Sequence, residues 1–278
     1  MTIFVTKLGE IRARIRSRTK RLNRFFIKIT PTTILLSLRH IPLYLLPFVL
    51  LTACLPDGQD VAERYEVTGV DVSHYQGVID WEELAADGHD FAFIKATEGK
   101  ELKDKAFFAN WQLAGQTGMR RGAYHFFRPE VKPDEQARNF FATVSLVPGD
   151  LPPVIDVEDR GRLSAAQLVR RVKQLAENFE LRYGVKPIIY TGQNFYNRFL
   201  AGQFDEYTLW LARYDTQEPV TVCGRTYAFW QYTDEGKLPG VVGKIDRNVF
   251  MGSHLDLALM CIPAALSGDN DDLANFGE

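Results

Sequence analysis

Cysteine is scarce in this chain of 278 residues: three are present, Cys54, Cys223 and Cys261. No CxxC pair occurs and none of the three falls at metal-ligand spacing, so a thiol redox centre and a zinc site both lack support. His40, His74, His89 and His254 show no ligand spacing either, and the chain is expected to carry no metal and no cofactor. No GxGxxG or P-loop follows the first apolar run, which removes the main argument for a nucleotide-binding fold. No internal repeat, low-complexity block or appended second module stands out. Long apolar runs are missing too. Ile41–Leu55 is uncharged but is interrupted by Pro42 and Pro47, and a comfortable membrane span needs roughly 20 apolar residues.

The net charge of −2 hides an asymmetry. Residues 1–53 hold ten Lys/Arg against the single acid Glu10, a net of +9, and the rest holds 23 basic and 34 acidic residues, a net of −11. An acidic body argues against nucleic acid as a partner. A basic run leading into a short apolar stretch reads instead as a targeting segment. That stretch ends in Leu51-Thr52-Ala53-Cys54, which resembles a bacterial lipobox with Cys54 as the lipidated residue; the alternative is an uncleaved signal anchor. The expected organisation is a signal or anchor segment over 1–54, a polar tether over 55–66, a folded body over 67–262 and an acidic tail over 263–278. A monomer held to a membrane, within the cell envelope, is expected. Cys223 and Cys261 either pair outside the cytosol or stay free and buried.

From Val67 onward, short apolar runs alternate with helical stretches. The runs are Val67–Ser73, Phe91–Ala96, Gly122–Phe127, Pro153–Val157, Pro187–Thr191, Thr208–Ala212, Tyr227–Tyr232 and Lys244–Phe250. Most lack polar alternation, as strands covered on both faces do. Helices are expected near 80–87, over Lys105–Thr117, Pro133–Val144 and Ser164–Arg182, and over 193–201. Pro133 with Asp134 and Glu135 marks one start, Ser164 caps another, and Gly184 stops it. Eight such strands point to the α/β class, as an irregular parallel (β/α) barrel of the TIM type. An open doubly wound sheet is the competing arrangement.

Ionisable and aromatic residues gather at the ends of these runs, the positions that a barrel brings to one face. The most informative stretch is Pro152-Pro153-Val154-Ile155-Asp156-Val157-Glu158-Asp159. Residues two apart in a strand share a face and lie ~6.5–7 Å apart, so Asp156 and Glu158 point the same way. Two close carboxylates raise each other's proton affinity, letting one donate a proton while the other stays charged. Glycosidic cleavage needs that division. A lone D-x-E is common, and a solvated strand end is the plain alternative.

The company of the pair is more specific. Gly69-Val70-Asp71-Val72-Ser73-His74-Tyr75-Gln76-Gly77-Val78-Ile79-Asp80-Trp81 opens the body, followed by Phe91-Ala92-Phe93-Ile94-Lys95-Ala96-Thr97-Glu98-Gly99 and Gly122-Ala123-Tyr124-His125-Phe126. After the D-x-E come Pro187-Ile188-Ile189-Tyr190-Thr191, Leu209-Trp210-Leu211-Ala212-Arg213-Tyr214, Phe229-Trp230-Gln231-Tyr232 and Ile245-Asp246-Arg247-Asn248-Val249-Phe250. In this order, over residues 67–252, the motifs resemble glycoside hydrolase family 25, the Chalaropsis-type lysozymes. The resemblance implies an irregular (β/α) barrel without metal. It also implies a muramidase cutting the β-1,4 bond from N-acetylmuramic acid to N-acetylglucosamine in peptidoglycan glycan strands. By motif position, Glu158 would be the general acid, Asp156 would orient the 2-acetamido group, and Asp71 and Asp246 would support them.

Among the other residues, Tyr75, Tyr124, Tyr190 and Trp210 either stack against sugar or pack the barrel. Lys95 and Arg213 either pair with the acids and contact substrate or only neutralise charge. His125 is a substrate ligand or a satisfied structural histidine, and Trp81 belongs to the core. A non-catalytic wall-binding lipoprotein would keep the groove without turnover, and the retained Asp156 and Glu158 speak against it. A chitinase-like enzyme would need further acids where Pro152 and Pro153 stand.

Overall fold

The computed structural model describes residues 59–264. The basic segment with its lipobox at Cys54, the first residues of the expected tether and nearly all of the acidic tail lie outside the described residues. No described helix is long and apolar enough to cross a membrane.

Nine strands form one sheet: β1 (Val67–Val72), β2 (Phe91–Glu98), β3 (Leu102–Lys103), β4 (Arg120–Phe126), β5 (Val154–Asp156), β6 (Ile188–Gly192), β7 (Thr208–Ala212), β8 (Phe229–Gly236) and β9 (Ile245–Phe250). All but β3 close into a ring, because β1 pairs with both β2 and β9. The eight ring strands coincide with the eight apolar runs. From β1 to β8 each ring neighbour is parallel, while β9 runs antiparallel to both β8 and β1. This is the irregular (β/α) barrel expected, and its one antiparallel ring strand has a physical reason. Only residues 237–244 join β8 to β9, and a parallel crossover needs about a dozen. The short β3 is a hairpin return against the end of β2.

The helices are α1 (Gln59–Ala62), α2 (Trp81–Ala86), α3 (Phe107–Ala114), α4 (Pro133–Phe141), α5 (Ala165–Tyr183), α6 (Gln193–Phe195) and α7 (His254–Met260), with a π-helical turn over Tyr196–Leu200. Asp80 and Ser164 accept backbone N–H groups at the starts of α2 and α5, and Gly184 ends α5 in the left-handed region. Leu168, Val172, Leu175 and Phe179 of α5 lie in the layer between helices and barrel. Trp81 is buried in the same layer, as expected. Of the expected tether, α1 and the turn after it rest on the barrel wall, with Val61 buried beside Trp230, Tyr232 and Val249.

A second apolar cluster fills the barrel interior from below, through Phe91, Phe93, Val154, Ile188, Trp210, Phe229 and Phe250. Leu257 and Cys261 close it from α7, a helix not foreseen although Ser253 and Asp256 form a capping box at its start. Gly122 makes room for this packing: a Cβ there would stand 2.6 Å from the Phe93 ring. Phe93 stacks on Trp210 with centroids 4.5 Å apart, and Tyr190 meets Trp210 edge-on at 4.4 Å. Above that level the inward positions turn polar. Cys223 and Cys261 are both free thiols.

Candidate active site

Strand alternation carries each interior row from apolar to ionisable. Gly69 is followed inward by Asp71, Phe93 by Lys95, Gly122 by Tyr124, Val154 by Asp156, Ile188 by Tyr190, and Phe229 by Gln231. On the antiparallel β9 the same progression runs backwards, from Phe250 through Asn248 to Asp246. Asp71 and Asp246 are directly paired across β1 and β9, so their side chains share a face. The result is a cavity of about 220 Å³ lined by Asp71, Asp156, Glu158 and Asp246 together with Lys95, Tyr75, Tyr124, Tyr190, Trp210, Tyr214 and Gln231. All four acids therefore meet at one barrel mouth. A larger cavity of about 850 Å³ lies outside α5 and holds none of them.

The four carboxylates have different environments. Asp71 is buried, and its Oδ2 accepts from Gln231 Nε2 and Asn248 Nδ2, each at 2.7 Å. Burial raises the proton affinity of Asp71; the donors Asn248, Gln231 and Asp246 oppose this by favouring the ionised form. Asp246 is raised as well, by desolvation and then by the neighbouring charge of Asp71. In this pair each charge disfavours ionisation of the other, and the amide donors on Asp71 bias the shared proton toward Asp246. Asp156 is buried and raised well above the ordinary carboxylate range, first by desolvation, then by Glu158. Its Oδ1 is buried without any hydrogen-bond partner. Glu158 stands just past the end of β5 with solvent access, yet enough protein surrounds its carboxyl to raise its proton affinity by desolvation. Tyr190, Lys95 and Arg128 act in the opposite sense on it.

Gln231 is the hub of the polar layer. Its Oε1 accepts from the hydroxyls of Tyr190 (2.7 Å) and Tyr214 (3.1 Å), while its amide donates to Asp71. Asn248 bridges in the same way, accepting from Trp210 Nε1 at 2.9 Å. Lys95 donates to Glu98 at 2.8 Å and sits over the Phe126 ring. A second cavity of about 230 Å³ lies on the far side of Glu158, sharing Glu158, Tyr190 and Tyr214 with the first and adding Gly192, Phe195 and Ala212. Glu158, Tyr190 and Tyr214 thus line both adjoining recesses.

Two expected ligands are placed differently. Arg213 does not line the groove: it follows the inward-facing Ala212 by one residue, and its guanidinium binds the Glu218 carbonyl and the Asp215 carboxylate in the next loop. Trp210 is only 2% exposed and forms the floor under Tyr190 rather than an open stacking face. Tyr75, by contrast, is 81% exposed at the rim, against the His74 ring at 4.1 Å. His125 points away from the groove into the helix layer, accepting from Thr97 at Nδ1 (2.7 Å) and donating to Gln136 Oε1 from Nε2 (3.0 Å). Burial lowers its pKa to about 4, so it is a neutral structural residue. Tyr214 and Gln231 are among the strand-end residues that the sequence marks, but neither the part played by Asn248 nor the bridging role of Gln231 is legible there. Among the described residues no group of three or more His, Cys, Asp or Glu is placed to hold a metal ion.

Comparison with known proteins is consistent with this geometry. The model of glycosyl hydrolases family 25 matches residues 70–241. An Escherichia coli protein called YegX is 47% identical over 202 residues, covering 71% of this chain and 74% of its own length. Lysozyme M1 of Streptomyces globisporus is 34% identical over 214 residues, covering 71% of this chain and 73% of its own. The solved structure of a family 25 glycosyl hydrolase from Bacillus anthracis superposes with a TM-score of 0.67 at 38% identity, covering 71% of this chain and 94% of that one.

Proposed function

The chain belongs to glycosyl hydrolases family 25 and is a glycoside hydrolase, and on that premise we propose that it is a peptidoglycan muramidase with Glu158 as general acid and Asp156 as the residue that holds the substrate's acetamido group. The observation that carries this reading is the unpartnered Oδ1 of Asp156, buried in the wall of a groove beside a second carboxylate. A buried acceptor left alone costs about 1–3 kcal/mol, and the N–H of a 2-acetamido sugar is a donor of the right kind to satisfy it. Lysozyme M1 supplies the polymer class by its name.

Glu158, with its raised proton affinity and its place in the lining of both recesses, protonates the glycosidic oxygen. The acetamido oxygen attacks the anomeric carbon as that bond breaks. Asp156 accepts the acetamido N–H, a bond that favours its ionised form against the burial that raises its proton affinity, and the ionised carboxylate stabilises the positive charge on the cyclic intermediate. Glu158, now ionised, takes a proton from water as the water opens the ring, which restores the acid and leaves a reducing sugar. Two acids on one strand lie on the same side of the sugar, which suits a nucleophile provided by substrate better than an opposed enzyme carboxylate. The Asp71–Asp246 pair keeps one negative charge beside this centre.

The test is incubation of the protein with purified peptidoglycan, beside Glu158→Gln. New reducing ends on muramic acid are expected, falling by about 10²–10⁴ in the variant. Binding without release would favour a wall-binding protein instead, and a covalent sugar ester on an aspartate would overturn the acetamido route. Attachment at the cell envelope through Cys54 belongs to the same proposal. Cys54→Ala should release the protein from the membrane fraction, and its retention there would sink the lipid anchor.

A further inference from the structure

Tyr214 sits where three recesses meet. It lines the cavity holding the four acids, the recess beyond Glu158, and a third of about 560 Å³ that runs past Asp234 and Glu235. Its ring is 55% exposed, and its hydroxyl donates to Gln231, which donates in turn to Asp71. Tyr214 belongs to a loop over 213–218 that has no regular secondary structure. Something must hold that loop, since ordering each backbone residue costs about 1–2 kcal/mol.

Much of what holds it comes from the turn between α1 and β1, about 150 residues away in sequence. The Tyr65 hydroxyl donates to Glu218 Oε1 at 2.7 Å, and the Arg64 guanidinium donates to the Thr216 carbonyl at 2.7 Å. The Tyr65 ring meets Trp230 edge-on, and the Trp230 indole donates to the Arg213 carbonyl at 2.9 Å. The Arg64–Tyr65 turn thus grips the loop on the C-terminal side of Tyr214, while Trp230, against which the Tyr65 ring packs, holds Arg213 on the other side; the turn itself does not line the groove.

We propose that Arg64 and Tyr65 are positioning residues for Tyr214, so that the stretch of chain leading into the barrel sets how tightly the glycan is held. The proposal rests on the reading of the Glu158 groove as the glycan site. It makes substrate affinity depend on the segment between the expected anchor and the first strand. Loosening the turn frees Tyr214 from Gln231 and widens the junction of the recesses. That weakens glycan binding before the chemical step and leaves the acids in place.

The experiment is a double-variant cycle on the full-length protein. Tyr65→Phe keeps the ring on Trp230 and removes only the hydroxyl. It should raise KM on peptidoglycan about three- to tenfold, the size of one lost hydrogen bond, with kcat within twofold of the parent. Tyr214→Ala should raise KM at least as much, and Tyr65→Phe combined with Tyr214→Ala should be no worse than Tyr214→Ala alone. Arg64→Ala should behave like Tyr65→Phe. Losses that multiply in the double variant, or an unchanged KM in Tyr65→Phe, would overturn the proposal. Cosedimentation with insoluble peptidoglycan in a Glu158→Gln background reads the same affinity shift without turnover. Absence of hydrolysis in the parent would therefore defeat the muramidase reading while this measurement still decides the role of the turn.

Discussion

Asn248→Ala tests whether the acid pair at the barrel mouth works as described. Asn248 is fully buried and makes two hydrogen bonds, donating to Asp71 at 2.7 Å and accepting from Trp210 at 2.9 Å. The variant removes a donor to an ionised carboxylate, a bond of about 1.5–3 kcal/mol, and leaves a buried indole N–H unpaired, at about 1–3 kcal/mol. A combined loss of roughly 3–5 kcal/mol is a large share of the ~5–15 kcal/mol of a whole domain, so the variant should fold with a much lower unfolding midpoint. The second readout is the pH profile. The lost donor favoured ionised Asp71, so Asp71 takes up its proton at higher pH in the variant. At about 1.36 kcal/mol per pH unit, with Gln231 and Asp246 still donating, the acid limb of peptidoglycan hydrolysis should move up by about one unit. Thermal melts and initial rates from pH 4 to 8 measure both effects. A lowered midpoint with an unmoved acid limb would refute the claim that activity depends on an ionised Asp71.

Asp246→Asn should alter how stability varies with pH. The folded protein holds a proton at Asp246 above the range where an unfolded aspartate, near 3.9, releases it. A raised folded pKa gives stability that is fully present at acid pH and is lost as pH rises through the folded value, from about pH 4 upward through neutrality. The variant should therefore show a smaller fall in midpoint between pH 5 and pH 8 than the parent, and an equal fall would count against the pair. Gly122→Ala places a Cβ against the Phe93 ring and should cost about 1–3 kcal/mol in a urea titration; a neutral result would mean that the barrel floor yields. His125→Ala should cost roughly 2–4 kcal/mol by leaving the Thr97 hydroxyl unpaired and opening a cavity beside Gln136, which keeps its bonds to Arg128 and Val131. The pH profile of kcat should stay in place, and a shift would return His125 to the site.

The rows that end in Asp71, Lys95, Tyr124, Asp156 and Tyr190 were legible because alternation is local: an inward apolar residue fixes the side of the residue two further on. The same parity argument places Arg213 outside, since Trp210 and Ala212 face inward. Depth along the strand is not local. Trp210 has the inward parity of a ligand and pairs directly with Tyr190 across β6 and β7, and its burial at the cavity floor is decided by the Phe93 and Tyr190 rings packed against it. The partners of Asp71 are further from reach still. Gln231 and Asn248 are 160 and 177 residues away in sequence, and they meet Asp71 because β9 reverses and inserts beside β1. The brevity of residues 237–244 was the available sign of that reversal, as Ser253 with Asp256 was the sign of α7.

The four acids differ most in their hydrogen-bond partners, and that difference makes a last prediction about substrate. Asp71 Oδ2 has two amide donors, and Asp71 also accepts from Asp246. Asp156 Oδ1 has none. A saturated carboxylate can fix charge but has little left to offer a ligand, whereas an orphaned one gains most when a ligand supplies the missing donor. If the acetamido N–H is that donor, the importance of Asp156 belongs to the acetamido group itself. On ordinary peptidoglycan, Asp156→Asn should lower kcat by about 10²-fold or more, because the amide neither accepts the N–H as strongly nor balances the developing charge. On glycan whose muramic residues have been N-deacetylated, the parent should be slow to a similar degree, and Asp156→Asn should add little further loss. The two perturbations should thus be strongly non-additive in reducing-end release. Independent, multiplying losses would detach Asp156 from the acetamido group. They would leave the pair as a general electrostatic feature of the groove, with a nucleophile still to be found.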